Sequence, residues 1–369
     1  MTKFDMRPII PGHIQALSLY QPGKLIEDVL EEMGLESAVK LASNENALGP
    51  SPLALKAVTE ALGGLSRYGD ADSRRLREAI AKKTGHPVEG ILACNGSSEL
   101  ILVAAHALLG PGLSAVMSRP SFTLYAKNAQ AAGARPVETP LDASFGHDLG
   151  AMIERTDQST RLAFVDNPLN PTGAYLSPER VSWFLGRLPQ NAILVLDEAY
   201  ADFARAPKPD YHSLLATGRV IVLRTFSKIM GLAGLRAGYA LMDPELAGQL
   251  NKVRQPFNLN NLAQVGALAA LEDSEHVKKT LEMTWSALGV FKERLPGYGL
   301  KVYPTEANFV MAKLPDGVLA EDFAKKTLKE GVIIRSLSSF GLPGHVRINA
   351  GLDWEIEKLF KAICYCLES

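Results

Sequence analysis

The chain has 369 residues, enough for two domains or for one large body with a smaller companion. Apolar residues make up 47% and charged residues 21%, which excludes a disordered or fibrous chain. With 39 basic against 40 acidic side chains, there is no electrostatic reason to expect a nucleic acid or an anionic membrane as partner.

The N-terminal stretch Met1–Tyr20 carries Asp5, Arg7, Pro8 and Pro11 and lacks the apolar core of a signal peptide. Ile14–Val39 reads as a loop leading into an amphipathic helix. Leu100–Ser118 holds 19 residues without a formal charge, but Gly110-Pro111-Gly112 splits it into a helix (Leu100–Leu109) and a strand (Leu113–Ser118). It therefore reads as core and not as a membrane span. Aliphatic runs then recur at Arg161–Asp166, Ala192–Asp197, Arg219–Arg224 and Ala237–Met242. Near-continuous apolar runs suit strands buried on both faces, as in a mostly parallel sheet covered by helices, with Pro178–Leu188 as one crossover helix. The C-terminal part alternates helical patterns (Ser274–Arg294, Ala320–Glu330, Trp354–Leu367) with short strands (Asn308–Lys313, Val332–Arg335, Val346–Asn349). The predicted division is a large α/β domain over 45–275, a small α+β domain over 276–369, and an N-terminal segment, 1–44, that joins the small one. Three cysteines (Cys94, Cys364, Cys366) are too few for a disulfide framework and predict reduced thiols in a cytoplasm.

No G-x-G-x-x-G, P-loop, H-E-x-x-H, G-x-S-x-G or paired C-x-x-C occurs, and the seven histidines are scattered, so a metal site or a histidine triad has no sequence support. The polar residues that stand out sit at strand ends, where open α/β sheets bind ligands. One strand runs out into Asp197-Glu198-Ala199-Tyr200, another into Thr225-Phe226-Ser227-Lys228, and a third into Asn167-Pro168-Leu169-Asn170-Pro171-Thr172-Gly173. Taken singly, a lysine is a solvated charge and a strand-end aspartate is a turn or helix cap. Jointly, they bring an amine, a carboxylate, an amide and hydroxyls to one sheet edge. Asn95-Gly96-Ser97-Ser98-Glu99, directly before a helix, offers amides and hydroxyls to a phosphate, or serves as an ordinary N-cap. A phosphate, a ring nitrogen needing an acid, a phenolic oxygen needing donors and an aldehyde needing a lysine together describe pyridoxal 5′-phosphate.

Asn167–Gly173 (NPLNPTG), Asp197–Tyr200 (DEAY) and Thr225–Tyr239 (TFSKIMGLAGLRAGY) resemble the signature motifs of fold-type-I pyridoxal-phosphate aminotransferases. Within that superfamily, Tyr20–Gly23, Leu41–Pro52 (LASNENALGPSP), Arg67–Asp70, Ala307–Phe309 and Gly341–Ile348 (GLPGHVRI) resemble the histidinol-phosphate aminotransferase branch. The resemblance covers nearly the whole chain and implies a three-layer cofactor domain with a smaller α+β domain. It also implies that Lys228 carries the cofactor covalently, Asp197 pairs with its ring nitrogen, and Asn170 and Tyr200 hold the 3′-oxygen. Gly96, Ser97, Ser98, Thr225, Ser227 and Arg236 would cradle the phosphate. Phe122 would stack on the ring, with Tyr125 as second candidate. Tyr68 matches a tyrosine lent to the neighbouring subunit's cofactor phosphate, which implies a homodimer. In the resembling branch both arginines at the positions of Arg335 and Arg347, with Tyr20, receive the substrate phosphate, Arg347 also takes the carboxylate of glutamate, and Asn44 is a gate or substrate contact.

Some positions depart from the family pattern. Ala47 replaces a proline, Leu169 stands where asparagine is frequent, and Gly351-Leu352 stands where Gly-Thr is common. None falls in the implied cofactor set. The expected activity is transamination of L-histidinol phosphate with 2-oxoglutarate. The other readings are an aromatic amino acid aminotransferase, a threonine-phosphate decarboxylase, and a cofactor-binding regulator, which would need a DNA-binding module that no segment supplies.

Overall fold

The computed structural model describes residues 9–19 and 24–368. Twelve strands occur among them: β1 (Val39–Leu41), β2 (Ile91–Cys94), β3 (Ser114–Arg119), β4 (Arg135–Pro140), β5 (Thr160–Asp166), β6 (Ile193–Asp197), β7 (Val220–Thr225), β8 (Gly238–Met242), β9 (Lys301–Val302), β10 (Phe309–Lys313), β11 (Val332–Ser336) and β12 (His345–Asn349). Seven of them form one sheet in the order β2-β8-β7-β6-β5-β3-β4. All neighbours in it are parallel except β8, which runs antiparallel to both β2 and β7. The middle strands are the predicted aliphatic runs: Leu162–Val165, Leu194–Leu196 and Val220–Leu223 are buried. Side chains alternate across a strand, so an unbroken apolar run serves a sheet covered on both faces. Two cores confirm the arrangement. Val165, Leu194, Leu196 and Val222 pack with Phe184, Phe226 and Ala263 on one side, and Phe164, Val195, Ile221 and Leu223 with Leu100, Ile101 and Tyr125 on the other. The fold is α/β, a mostly parallel sheet between helical layers.

The second sheet has the order β1-β11-β12-β10-β9. β1 pairs parallel with β11 (Val39↔Val332), which draws the N-terminal segment into the C-terminal unit; the other pairs are antiparallel. The helix predicted between Ile14 and Val39 occupies Ile26–Met33 and ends at Gly34, which is left-handed with φ 63°. Helix Ser274–Arg294 spans both units. Val277 and Leu281 lie against the core of the large sheet, whereas Ala287, Leu288 and Phe291 belong to that of the small one. Its N-cap, Asp273, accepts from the His276 amide (3.1 Å) and from Ser51 Oγ (2.6 Å), and thereby also ties down the start of the distant helix Pro52–Ala61, whose N-cap is Ser51. A continuous helix, and not a glycine-rich linker, connects the units. No helix among the described residues is long and apolar enough to cross a membrane.

Candidate active site

At the carboxyl ends of β5, β6 and β7 lies a cavity of about 200 Å³. The strand ends deliver Asp166 and Asn170, Asp197 and Tyr200, and Thr225, Ser227 and Lys228 to its wall. Ser97 and Ser98 reach it from the first turn of helix Ser97–Leu108, Phe122 and Tyr125 from the segment after β3, and Arg236 from the loop before β8. Lys228 and Asp197, predicted from strand ends 31 positions apart, thus line the same cavity.

The Ser97–Leu108 helix starts without a side-chain cap on its first amides, so they stay open toward the cavity along with the positive end of the helix dipole. Glu99 reaches back to the Asn95 amide (2.6 Å) and is held by Asn258 (2.7 Å), so this residue behaves as a cap while the serines face the cavity. Gly96, at φ 77° and ψ 164°, holds a backbone conformation that favours glycine, and an added Cβ would lie 2.5 Å from the end of the Arg236 side chain, Nη2. Arg236 itself is left-handed (φ 59°) and its Nη1 donates to Ser227 Oγ at 3.4 Å; Thr225 Oγ1 accepts from the Ser227 amide at 3.1 Å. Amides, two serine hydroxyls and a guanidinium therefore converge as an anion cradle.

Asp197 is 4% exposed. Its Oδ2 accepts from Tyr125 Oη at 2.9 Å and its Oδ1 from the Ala199 amide at 3.1 Å. Burial, then the neighbouring Asp166 carboxylate, pushes its pKa up to about 7, so this acid awaits a cation in front of it. Tyr125 lines the cavity and is packed between two rings. It lies parallel to Phe164 (4.7 Å between centroids) and edge-on to Phe122 (5.6 Å). Phe122 is half-buried and lines the cavity wall.

Lys228 Nζ donates to the Ser43 carbonyl at 3.2 Å. Burial first, and then the positive field of Arg347, pulls its pKa down to about 8, so a useful share of the amine is neutral near neutral pH. Tyr200 Oη accepts from Asn44 Nδ2 at 2.9 Å, and Asn170 Oδ1 accepts from Arg347 Nη1. Asn44, left-handed at φ 53° and buried, also donates its amide to Asn349 Oδ1 and receives Asn308 Nδ2 on its carbonyl. It therefore ties the cavity to the small sheet. Arg347 Nη2 donates to the Ala42 carbonyl at 2.7 Å. Arg335 is half-buried beside Phe340 and stands directly opposite Arg347 in the β11–β12 pairing. Two guanidinium groups in register repel unless an anion lies between them.

Of the remaining predicted residues, Tyr68 lies away from the cavity, 86% exposed, with its ring on Phe257 at 4.8 Å. Tyr20 lies outside the described residues. Asp166, Glu45 and the Ser43 carbonyl were not anticipated at the site. A larger cavity, about 400 Å³, opens beyond Thr225 and Phe226. In its wall Arg224 is bound to Glu198 (2.8 Å) and Asp202 (2.6 Å), Tyr211 Oη to Glu198 (2.8 Å), and Lys83 Nζ to the Leu271 carbonyl (2.8 Å).

Residues 36–363 match the family model for aminotransferase class I and II. The chain is 41% identical over 364 residues to a histidinol-phosphate aminotransferase of Desulfotalea psychrophila, covering 97% of this chain and 95% of that protein. It is likewise 41% identical to a histidinol-phosphate aminotransferase of Anaeromyxobacter, over 96% and 98% of the two chains. Its fold is similar to the crystal structure of histidinol-phosphate aminotransferase from Sinorhizobium meliloti in complex with pyridoxal 5′-phosphate, with a TM-score of 0.89, 28% identity and coverage of 100% and 99%.

Proposed function

The chain belongs to the class I and II aminotransferase family, and from that premise we propose that it moves the amino group of L-histidinol phosphate to 2-oxoglutarate with pyridoxal 5′-phosphate as cofactor. The products are imidazole-acetol phosphate and L-glutamate, a step of histidine biosynthesis. The observation that carries this reading is the single cavity that holds a lysine, an acid, a phenol–amide pair and an anion cradle. The fit to the cofactor is specific. A side chain at Gly96 would crowd the Arg236 guanidinium, with its Cβ 2.5 Å from Nη2, and Asp197, forced toward neutrality by burial, regains its charge opposite a ring N–H⁺.

When bound, the cofactor serves as an electron sink for the bond broken at the substrate's α carbon. The protein supplies the rest. Lys228 Nζ takes the α-proton of the amino substrate in one half-reaction and returns a proton to the keto acid's α carbon in the other. Asp197 holds the anionic charge at the ring-nitrogen pole, with Tyr125 fixing its orientation. Asn170 and Tyr200, themselves braced by Arg347 and Asn44, hold the 3′-oxygen. One site serves two substrates in turn, so the kinetics are ping-pong.

The paired arginines select the substrates. Arg335 reads the phosphate of histidinol phosphate, together with Tyr20 and Arg347, and Arg347 also takes the carboxylate of glutamate. Arg335→Ala is expected to lower kcat/KM for L-histidinol phosphate by about 10- to 100-fold, the worth of one charged hydrogen-bonding pair, and to leave glutamate within about threefold. Equal losses for both substrates would reject this division of labour.

We propose a homodimer that places Tyr68 at the neighbouring subunit's cofactor phosphate. Tyr68 and Phe257 form an exposed aromatic pair, and Leu62, Leu65 and Val253 nearby are exposed as well, an apolar surface that solvent does not favour. Sedimentation at assay concentration is expected to give a dimer; a fully active monomer would contradict this. The division into segments 1–44, 45–275 and 276–369 accords with the separate cores of the two sheets, although the boundary at 275 cuts the first turn of the bridging helix. Buried thiols at Cys94 and Cys366 accord with a cytoplasmic location.

A further inference from the structure

Behind Asp197 lies a polar array that the transamination scheme does not use. Asp166 ends β5 in register with Asp197 on β6, and both carboxylates are buried at 4% exposure. Both line the cofactor cavity. Asp166 Oδ2 accepts from the Asn170 amide at 2.9 Å, whereas its Oδ1 is buried without a hydrogen bond. His147 Nε2 sits 3.5 Å from that oxygen and 2.9 Å from the Asp166 carbonyl; its other ring nitrogen, Nδ1, is 2.7 Å from Ser118 Oγ. Ser118 Oγ also lies 3.6 Å from Met152 Sδ.

This arrangement satisfies the imidazole with or without an extra proton. When the ring is neutral, Nε2–H donates to the Asp166 carbonyl and the Ser118 hydroxyl donates to Nδ1. When the ring is charged, Nδ1–H donates to Ser118 Oγ, whose own proton turns to the Met152 sulfur. Two adjacent buried carboxylates cannot both ionise without a compensating cation. Asp166 acts on Asp197 and on the Tyr125 and Tyr200 phenols, and none of these groups supplies a cation. His147 is placed to do so.

We infer that Ser118, His147 and Asp166 form a proton-holding array: His147 carries the proton that Asp166 would otherwise contest with Asp197, which leaves Asp197 ionised for the ring nitrogen. These are positioning residues, and the inference rests on reading the cavity as a pyridoxal-phosphate site. It requires Asp166 to be harmful without His147 and harmless with it.

The test is the affinity of the apo-protein for pyridoxal 5′-phosphate from pH 6 to 9, each variant compared with wild type so that the cofactor's own titrations cancel. His147→Gln is expected to weaken binding about tenfold near pH 7, one pH unit's displacement of Asp197, and to recover toward high pH. The double variant Asp166→Asn/His147→Gln should regain most of the affinity that His147→Gln loses. A double variant as weak as His147→Gln alone would show a merely structural histidine and overturn the inference. Imidazole ¹⁵N shifts give a readout that needs no cofactor. His147 should be charged in apo wild type at pH 7 and neutral in Asp166→Asn; a neutral ring in wild type would also overturn it. A wild type that takes up no pyridoxal phosphate would defeat the cofactor reading and this inference with it, whereas a binding wild type with unresponsive variants defeats this inference alone.

Discussion

Lys228→Ala is expected to reduce kcat/KM for L-histidinol phosphate by at least about 10⁴-fold, the upper range for one general acid–base group, since both half-reactions use the same nitrogen. Among the described residues no second lysine lines the cavity to substitute for it. Nearby cations lie on the wrong groups. Arg347 is committed to Asn170 and the Ala42 carbonyl, and Arg236 to Ser227 and the Ala233 carbonyl, and a guanidinium does not give up its proton at working pH. The variant should fold. Lys228 is half-buried and makes one hydrogen bond, to the Ser43 carbonyl, so its loss removes a strained ammonium from a site that already pulls its pKa down. Melting within a few degrees of wild type, alongside absent turnover and an altered cofactor spectrum, is the expected combination. Steady-state transamination by Lys228→Ala near the wild-type rate would remove this residue from the mechanism.

Asp197→Asn carries the second large effect, and its sign differs between activity and stability. The amide keeps the shape and the Tyr125 contact but cannot hold a negative charge opposite the ring nitrogen. Loss of one preorganised electrostatic group costs about 10²- to 10³-fold in kcat. In the apo-protein, the same substitution should stabilise. Asp197 has its folded-state pKa raised from the usual 3.8 to about 7, so the folded state favours the protonated acid and the wild type loses stability as pH rises from about 4 to 7. Apo Asp197→Asn should therefore melt higher than apo wild type at pH 8, with the gap closing toward pH 4. Bound cofactor should reverse the order at pH 8, because a ring cation favours the carboxylate. An apo variant less stable than wild type at pH 8 would mean that Asp197 is already paired with a cation there.

The strands that reach the cavity were legible because each is an aliphatic run closed by a polar cluster. β5, β6 and β7 fall within a residue or so of their predicted limits. Other strands escaped, including β2 (Ile91–Cys94), a run of only four residues before the polar Asn95–Glu99. β4 alternates, with Pro136 and exposed Arg135 and Glu138 marking the sheet's edge, and β1 and β9 are only three and two residues long. Nothing in Ala237–Met242 announced that β8 runs antiparallel to its neighbours, because direction is set by connection and not by composition. The site shows the same division. Lys228, Asp197 and Asn170 could be read from their place at strand ends. The Arg347–Asn170 contact joins residues 177 positions apart and has no local trace. Tyr125 was read as a possible stacking ring, and only its Oη–Asp197 bond shows what its polar end touches. His147 is one of seven scattered histidines until folding brings it beside Asp166, which it precedes by 19 residues with no motif to join them.

The most direct measurement is a set of isolated half-reactions, following the absorbance of the bound cofactor as each amino donor is added alone. L-histidinol phosphate should convert the cofactor stoichiometrically with no keto acid present, and 2-oxoglutarate should restore the starting spectrum and yield glutamate. Conversion by phenylalanine or tyrosine with no response to histidinol phosphate would contradict the assigned donor, and carbon dioxide release from phosphothreonine without any keto-acid requirement would contradict transamination itself.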